Sequence, residues 1–173
     1  MRIKLNHKYY LKEVETFAEN KGASLTISKE DKKIIFNFEV EDDSIYSPYT
    51  KDNEDIYNGD VVEVFVSFNG DIHNYLEYEI SPFGVKFLGL INNPTLDKGV
   101  LVKIDPNFIG EASLTSVGYK AKIVVDLKEH DINDIKFNAF AIDSDSNRPQ
   151  KLYCLNPTEK RNFHRPNYFV MFE

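Results

Sequence analysis

The chain has few of the residues that would build a disulfide, a thiolate metal centre or a surface for anionic partners. Its single cysteine, Cys154, excludes an intramolecular disulfide and a zinc site with several thiolates. It has 21 Lys and Arg against 28 Asp and Glu, which gives a net charge of −7. This balance argues against nucleic acid or a membrane surface as a partner, because both need clustered basic side chains. No apolar run approaches the ~20 residues of a membrane-spanning helix.

The N-terminus also lacks the apolar core of a secretory signal peptide. Residues 1–8 are mostly basic and polar, and no apolar stretch follows them. The sequence as given therefore predicts a cytoplasmic protein, or an extracellular one if a leader has been removed.

Tryptophan is absent, but 13 Phe and 10 Tyr are present, and many of them alternate with polar residues. This period-two alternation, which is typical of strands, recurs along most of the chain. The clearest examples are Ile34–Glu41, Val61–Phe68, Tyr75–Ser81 and Tyr119–Leu127. Many short strands with closely spaced turns predict an all-β protein, a two-sheet antiparallel β-sandwich. At this length, residues 1–173 are predicted to form a single domain.

Four segments depart from the alternation. Asp42–Asn58 and Asp143–Gln150 are rich in Asp, Ser, Asn and Pro, and we expect both to be long surface loops. Tyr9–Asn20 fits either a short helix or an early strand. Lys128–Asp134 fits a single helical turn.

The predicted hairpin Asp60–Ser81 places three carboxylates on one face. Glu63 lies across from Glu79, and Glu77 points to the same side. Such a set can accept hydrogen bonds from sugar hydroxyls or coordinate a hard cation. A pair of carboxyls at ~5–10 Å could also serve as the acid and base of a glycosidase. The alternative is that this face is only polar and solvated.

A second candidate is the polar loop Asn156–Pro166, just before the last strand. Its Phe163, beside Arg161, His164 and Arg165, could stack on the flat face of a ligand. Alternatively, Phe163 closes the end of the core and the charged neighbours are solvated.

Catalytic and metal motifs are not found. The four histidines have no metal-ligand spacing, and Cys154 lies in the apolar run Leu152–Leu155, which predicts a buried, unreactive thiol. No phosphate-binding glycine loop or hydrolase nucleophile motif is present. We therefore expect no enzymatic activity.

Three motifs, taken together, resemble family 9 carbohydrate-binding modules. Tyr57–Phe65 is similar to the family segment aromatic-x-x-D-x-V-E-x-F, and Tyr75–Gly84 to Y-x-E-F-x-x-x-P-x-G. Leu155–Phe169 is similar to the closing pattern of the family. The resemblance implies a jelly-roll-like β-sandwich that binds sugar without catalysis. It also implies association with xylanases and other glycoside hydrolases in carbohydrate catabolism and, in some members, structural calcium.

The resemblance further implies particular site residues. Two family tryptophans that sandwich a terminal sugar correspond to Tyr57 and Phe163, and the sugar-contacting glutamate corresponds to Glu63. A polar family side chain is replaced by Phe140, and a family arginine falls near Glu79. The predicted carbohydrate-binding residues are Tyr57, Glu63, Glu79, Phe140, Arg161, Phe163, His164 and Arg165.

Two functions remain open on these grounds. The first is non-catalytic binding of a sugar or glycan end by aromatic stacking and hydrogen bonds. The second is a structural or protein-interaction domain that has lost sugar binding. The first predicts a carbohydrate partner and no cofactor beyond the calcium that the resemblance allows. The identity of the sugar and the oligomeric state are left open.

Overall fold

The computed structural model describes all 173 residues, and they form an almost entirely β protein. The strands are β1 (Arg2–Ile3), β2 (Lys8–Glu13), β3 (Glu19–Glu30), β4 (Lys33–Glu41), β5 (Val61–Ser67), β6 (Asn74–Ile80), β7 (Lys86–Asn92), β8 (Val100–Lys103), β9 (Ile109–Leu114), β10 (Gly118–Asp126), β11 (Lys136–Asp145), β12 (Arg148–Cys154) and β13 (Met171–Phe172). The helices are single 3₁₀ turns at Ile56–Asn58, Ile132–Asp134 and Pro166–Tyr168. None of them has the length and apolar character needed to cross a bilayer. The all-β prediction is confirmed.

Eleven strands form one antiparallel sheet in the order β8-β7-β6-β5-β11-β12-β2-β3-β4-β10-β9. The sheet curls until β6 lies near β9 and β10, so its two halves face each other as the layers of a sandwich. The layers are joined through β12 and β2, which pair at only two positions. A separate parallel pair, β1 with β13, brings the two ends of the chain together.

The main core lies between the two halves of the sheet. Val62, Val64 and Val66 of β5 point into it and have no exposed surface. They pack in one cluster with Phe36 and Ile123 from the opposite half. This is the arrangement that period-two alternation requires, since alternate side chains of a strand share one face.

A second apolar cluster covers the other face of β5, and it excludes the alternative that this face is only polar and solvated. Every residue of β5 is buried. On this outer face, Phe65 and Phe140 pack with Ile56 from the connection before β5 and with Phe163 from the loop after β12. Because these two segments lie over the strand, the predicted carboxylate face is enclosed between them.

The two predicted long loops have different outcomes. The connection between β4 and β5 is long, as expected, and contains the first 3₁₀ turn. The prediction for Asp143–Gln150 is wrong, because β11 continues to Asp145 and β12 begins at Arg148. The Asp145 carboxylate accepts the Asn147 N–H at 2.8 Å and pairs with Arg148 at 2.8 Å. These contacts stabilise a tight turn where a polar composition suggested an open loop.

The two ambiguous segments are also resolved. Tyr9–Asn20 adopts strand, not helix, and supplies parts of β2 and β3, which pair with each other. Lys128–Asp134 contains the single turn that was expected, at Ile132–Asp134.

Candidate functional site

A cleft of about 340 Å³ opens over the outer face of β5. It lies between the 3₁₀ turn that precedes β5 and the loop that follows β12. Five of the eight residues predicted as a site line it: Tyr57, Glu63, Arg161, Phe163 and His164. The fold therefore brings together side chains that are up to about a hundred residues apart in the sequence.

A larger depression, of about 480 Å³, lies on β4, β9 and β10. Its charged side chains already pair with one another, Lys120 with Glu39 at 3.1 Å and Lys122 with Glu111 at 2.9 Å. Exposed pairs of this kind are ordinary features of a polar sheet surface. The smaller cleft is the better candidate, because its polar groups are buried and only partly satisfied.

Tyr57 forms one wall of the cleft. The turn Ile56–Asn58 presents its ring, which rests edge-on against Phe87 at a centroid distance of 5.8 Å. Gln150 Nε2 donates to the Tyr57 carbonyl oxygen at 2.8 Å and so ties this wall to β12. Burial, together with a hydrogen bond to Asp55, raises the pKa of the Tyr57 hydroxyl to about 12. The ring is thus a neutral aromatic surface held in a fixed position.

Phe163 forms the opposing wall, but most of its surface is used in packing. Its ring stacks on Phe140 at 4.1 Å with an interplanar angle of 20°, and only 8% of the residue is exposed. Both expectations for Phe163 are therefore met in part, because it closes the end of the second cluster and also lines the cleft.

The floor of the cleft carries three buried carboxyl groups. Glu63 and Glu79 are directly opposed in the β5–β6 register, and Glu77 lies two residues along the same face. One oxygen from each lies within 4.8 Å of the others. Glu63 and Glu77 reach the cleft, while Glu79 lies beneath them with no exposed surface. Burial and the neighbouring carboxyls raise the pKa of Glu63 and Glu79, and burial raises the pKa of Glu77.

His164 joins the floor to the wall through a chain of hydrogen bonds. Asn93 Nδ2 donates to the Tyr75 hydroxyl at 3.1 Å, and that hydroxyl lies 2.9 Å from His164 Nδ1. If the hydroxyl donates to Nδ1, the neutral ring carries its proton on Nε2, which lies 4.0 Å from Glu77 Oε2. Burial lowers the pKa of His164 to about 4, so the ring is neutral near pH 7.

Three predicted residues are not brought to the cleft. Glu79 and Phe140 have no exposed surface, so direct contact with a ligand is not available to them. The Arg165 guanidinium donates to the Thr158 carbonyl, pairs with Asp97 at 3.3 Å and stacks over the Tyr168 ring at 4.7 Å. It holds the closing loop in place.

Sequence reasoning missed several lining residues. Gln150 and Leu152 lie on β12, and Leu101 lies on β8, and all three fall outside the three motifs. Phe65 lies two residues after Glu63 on β5, and the signals available for it were its position on the same face and its place at the end of the Tyr57–Phe65 motif. Phe65 also stacks on the His164 ring at 5.1 Å, so it supports the floor from below.

A second acidic cluster, Asp42, Asp60 and Asp143, lies at another edge of β5. One carboxylate oxygen from each lies within 4.8 Å of the others. Asp60 is fully buried and accepts the Ser144 N–H at 2.6 Å and the Tyr46 N–H at 2.5 Å. The nearby Tyr119 hydroxyl is buried without a hydrogen-bond partner. Carboxylate oxygens from separate segments are the donors that a calcium ion takes.

Comparison with known sequences gives two matches. Residues 11–95, about half of the chain, match the family model described as "Carbohydrate-binding family 9". A protein of Arthroderma benhamiae named "Extracellular protein" is 28% identical over 95 residues. That match covers 53% of the chain and 43% of the relative, so the chain spans less than half of its length.

Solved structures share the fold at low sequence identity. A carbohydrate-binding module of family 9 from Caldicellulosiruptor kristjanssonii, in complex with cellotriose, superposes with a TM-score of 0.73 at 17% identity. The alignment covers 100% of this chain and 94% of that one. The module from the same organism in complex with glucose gives a TM-score of 0.71 at 17% identity, over 100% and 96% of the chains. These likenesses confirm the sandwich fold over the full length.

Proposed function

Because the chain belongs to carbohydrate-binding family 9, we propose that it binds a sugar or glycan end in the cleft between Tyr57 and Phe163. The observation that carries this proposal is the pairing of aromatic walls from two separate segments over a floor of acceptors. The apolar face of a pyranose can stack on an aromatic ring while its hydroxyls donate to carboxylates such as Glu63. The cleft volume falls within the range of small-molecule sites, roughly 300–1,000 Å³.

Titration with glucose and cellotriose, the ligands of the two structural relatives, tests this proposal. We expect dissociation constants near ~1 mM, because Phe and Tyr offer less stacking area than Trp. Tyr57→Ala should weaken binding about 10-fold by removing one wall. Tyr46→Ala is the matched control, since Tyr46 is 39% exposed in the same segment but lies outside the cleft. Equal affinity of the Tyr57→Ala variant and the parent would contradict the assignment.

We also propose that this binding is not coupled to hydrolysis. A glycosidase holds its two carboxyls about 5–10 Å apart around the scissile bond. Here Glu63 and Glu77 lie side by side on one floor, with one oxygen from each within 4.8 Å of the other, and do not flank a bound sugar from two sides. We expect the pure protein to release no reducing sugar from xylan or cellulose. Turnover that is lost in Glu63→Gln would overturn this part of the proposal.

A calcium ion at Asp42, Asp60 and Asp143 is proposed as a structural element of the same module. The three carboxylates come from the ends of β4 and β11 and the start of β5, so an ion there would fasten three segments. We expect millimolar calcium to raise the melting temperature relative to EDTA. Asp143→Asn should remove most of that rise, whereas Asp145→Asn, in the neighbouring turn, should keep it. An unchanged melting temperature on calcium addition would speak against the ion.

The protein-interaction alternative also has one observation in its favour. The edge strands carry exposed apolar side chains, with Val100 61% and Val102 57% exposed on β8, and Ile109 50% and Leu114 55% exposed on β9. Unpaired edges with apolar side chains favour association with another chain. A monomer by light scattering at high concentration, with normal sugar binding, would favour the carbohydrate-binding function alone.

The site of action is proposed to be extracellular. The support is that the Arthroderma relative is named "Extracellular protein". Immunodetection of the native protein in culture medium, in cell-surface extracts and in lysate would decide between this and the cytoplasmic prediction.

A further inference from the structure

The floor of the cleft holds three carboxyl groups that no neighbouring side chain neutralises when they are ionised. Glu63, Glu77 and Glu79 are 0–4% exposed. Glu77 Oε2 and both carboxyl oxygens of Glu79 have no hydrogen-bond partner. By contrast, the buried Asp60 is satisfied by two backbone N–H groups. Burying a carboxylate without a partner costs folding free energy. We therefore expect each of these groups either to bind a proton or to pair with a cation.

The neighbouring side chains do not supply that cation. His164 Nε2 is 4.0 Å from Glu77 Oε2, and the buried ring is neutral. Arg161 lines the cleft at its exposed rim, where its guanidinium donates to the Gln150 carbonyl. The Tyr57 hydroxyl is already bound to Asp55. Protons neutralise these carboxyls while the cleft is empty, because burial raises the pKa of each. No protein side chain takes their place, so a permanent counter-charge comes from the ligand side of the cleft.

We propose that the cleft selects a sugar that carries a positively charged amino group, which docks against Glu63 and Glu77 with Glu79 directly behind them. This inference rests on the proposed function, because it names the class of sugar that the same cleft binds. A neutral sugar would offer only hydroxyl donors to the floor. An ammonium group offers three N–H donors and a charge, and charge-assisted hydrogen bonds are roughly twice as strong as neutral ones.

An ammonium group fits the floor better than a divalent metal ion does. Calcium takes six to eight oxygen ligands, and magnesium requires a near-ideal octahedron of them. The strand neighbours of these carboxyls are Phe65, opposite Glu77, and Phe140, opposite Glu63, and neither side chain offers an oxygen. Aromatic faces, by contrast, attract an organic cation. Two carboxylates in reach, a third behind them and aromatic neighbours together describe a pocket for an amine.

Three sugars that differ at one ring position test the proposal: glucosamine, glucose and N-acetylglucosamine. Each is titrated into the full chain at pH 7, with EDTA present and ionic strength held constant, and is followed by NMR. We expect glucosamine to bind at least 10-fold more tightly than the other two. N-acetylglucosamine keeps the nitrogen but loses its charge, so it separates charge from shape. Added salt should weaken glucosamine binding and leave glucose binding unchanged.

Two variants locate the effect on the floor. Glu79→Gln should reduce the preference for glucosamine over glucose to less than 3-fold, although Glu79 does not reach the cleft surface. Glu39→Gln, which removes an exposed carboxylate on β4 far from the cleft, should keep the full preference. If Glu79→Gln fails to fold, the comparison of the three sugars on the parent chain decides the proposal, with Glu63→Gln as the second variant.

The outcomes separate this inference from the proposed function. Equal binding of all three sugars would overturn the amino-sugar preference and leave carbohydrate binding intact. Absence of binding by these sugars and by cellotriose would overturn both. A saturable calcium-induced chemical-shift change that is lost in Glu79→Gln, without a preference for glucosamine, would show that the floor holds a metal ion and that the proposal is wrong.

Discussion

At the scale of single residues, Glu79 is the carboxyl group on the floor of the cleft whose burial costs the most free energy. It lies directly across from Glu63 in the β5–β6 register, has no exposed surface and accepts no hydrogen bond. Like charges directly opposed on neighbouring strands destabilise a sheet. Its retention at this position is better explained by a ligand than by folding, since buried charge without a partner lowers stability.

The Glu79→Gln variant should therefore be more stable than the parent when no ligand is present. At pH 8 Glu79 is ionised in the unfolded chain, so folding has to bury that charge or take up a proton, because burial raises the pKa of the group. The Gln amide removes this cost and can donate to the neighbouring carboxyls. We expect the free energy of unfolding to rise by about 1–3 kcal/mol. Denaturant titration at pH 8 measures the change, with Glu39→Gln as an exposed control that should shift by less than ~0.5 kcal/mol. A less stable Glu79→Gln variant would mean that the carboxylate has a partner in the folded protein.

The same reasoning applies to Glu63. A carboxylate on a solvated face could be replaced without effect on folding. Glu63 is only 2% exposed and sits beside two other carboxyls, so Glu63→Gln should alter stability as well as ligand binding. The binding role predicted for Glu63 stays a prediction until the titrations are made.

At the scale of elements, the turn between β9 and β10 depends on close backbone packing. Thr115 N–H donates to the Gly118 carbonyl at 2.8 Å and closes the turn. A Cβ placed on Gly118 would lie 2.0 Å from the Val40 carbonyl oxygen and 2.9 Å from Glu41 Cα. The start of β10 thus pairs with β4 at a distance that only glycine permits.

Gly118→Ala should accordingly destabilise the protein. The added methyl group meets backbone atoms, which cannot rotate away as the end of a side chain can. We expect a loss of about 1–3 kcal/mol in the free energy of unfolding, the usual cost of overpacking. Val117→Ala is the matched control, because Val117 is 61% exposed at the adjacent position and its truncation should cost less than ~0.5 kcal/mol. Equal stability of the two variants would show that the β4 edge can relax.

At the scale of the whole molecule, the buried titratable groups set how stability depends on pH. Burial raises the pKa of Glu77, and of Glu63 and Glu79, above the values of the unfolded chain. The folded state therefore binds more protons than the unfolded state between the two sets of values. Their contribution to stability is full below about pH 4.5 and is lost as the pH rises through the raised values.

His164 acts with the opposite sign, in a lower window. Its pKa falls from 6.5 to about 4 on burial, so the unfolded state binds the extra proton there. The contribution of His164 to the free energy of unfolding grows as the pH rises from about 4 to 6.5, and it is constant above that range. Asp60, whose pKa burial raises to about 7, acts in the same direction as the glutamates. Above pH 6.5 only the carboxyl effect remains.

Stability should therefore fall between pH 6.5 and pH 8 in the absence of ligand. For each proton that the folded chain binds and the unfolded chain does not, the free energy of unfolding falls by about 1.4 kcal/mol per pH unit. Denaturant titrations at three pH values in this window, in EDTA, measure the slope. Glu77→Gln should reduce the slope, and Glu39→Gln should leave it unchanged. If stability is constant or rises across this window, the pKa values of the buried carboxyls are not raised in the folded protein.

The sequence by itself determined the class of fold and the identity of the main core. Alternation in β4, β5, β6 and β10 is sufficient because a half-buried strand must place every second side chain inside. The motif around Tyr57 and Glu63 and the closing loop around Phe163 also identified both walls of the cleft. These signals are local, or they are carried by a short motif, and a linear pattern preserves them.

Only the tertiary structure decided what covers the outer face of β5. The alternation of Glu63 with Val62 and Val64 shows that they point to opposite faces, but it does not show whether a distant segment lies over either face. Ile56 and Phe163 provide that cover, and they bury the three carboxyls whose exposure the pattern left open. Exposure depends on contacts between residues remote in the chain. For the same reason, Gln150 and Leu152 joined the cleft, while Glu79 and Phe140 were placed beneath its surface.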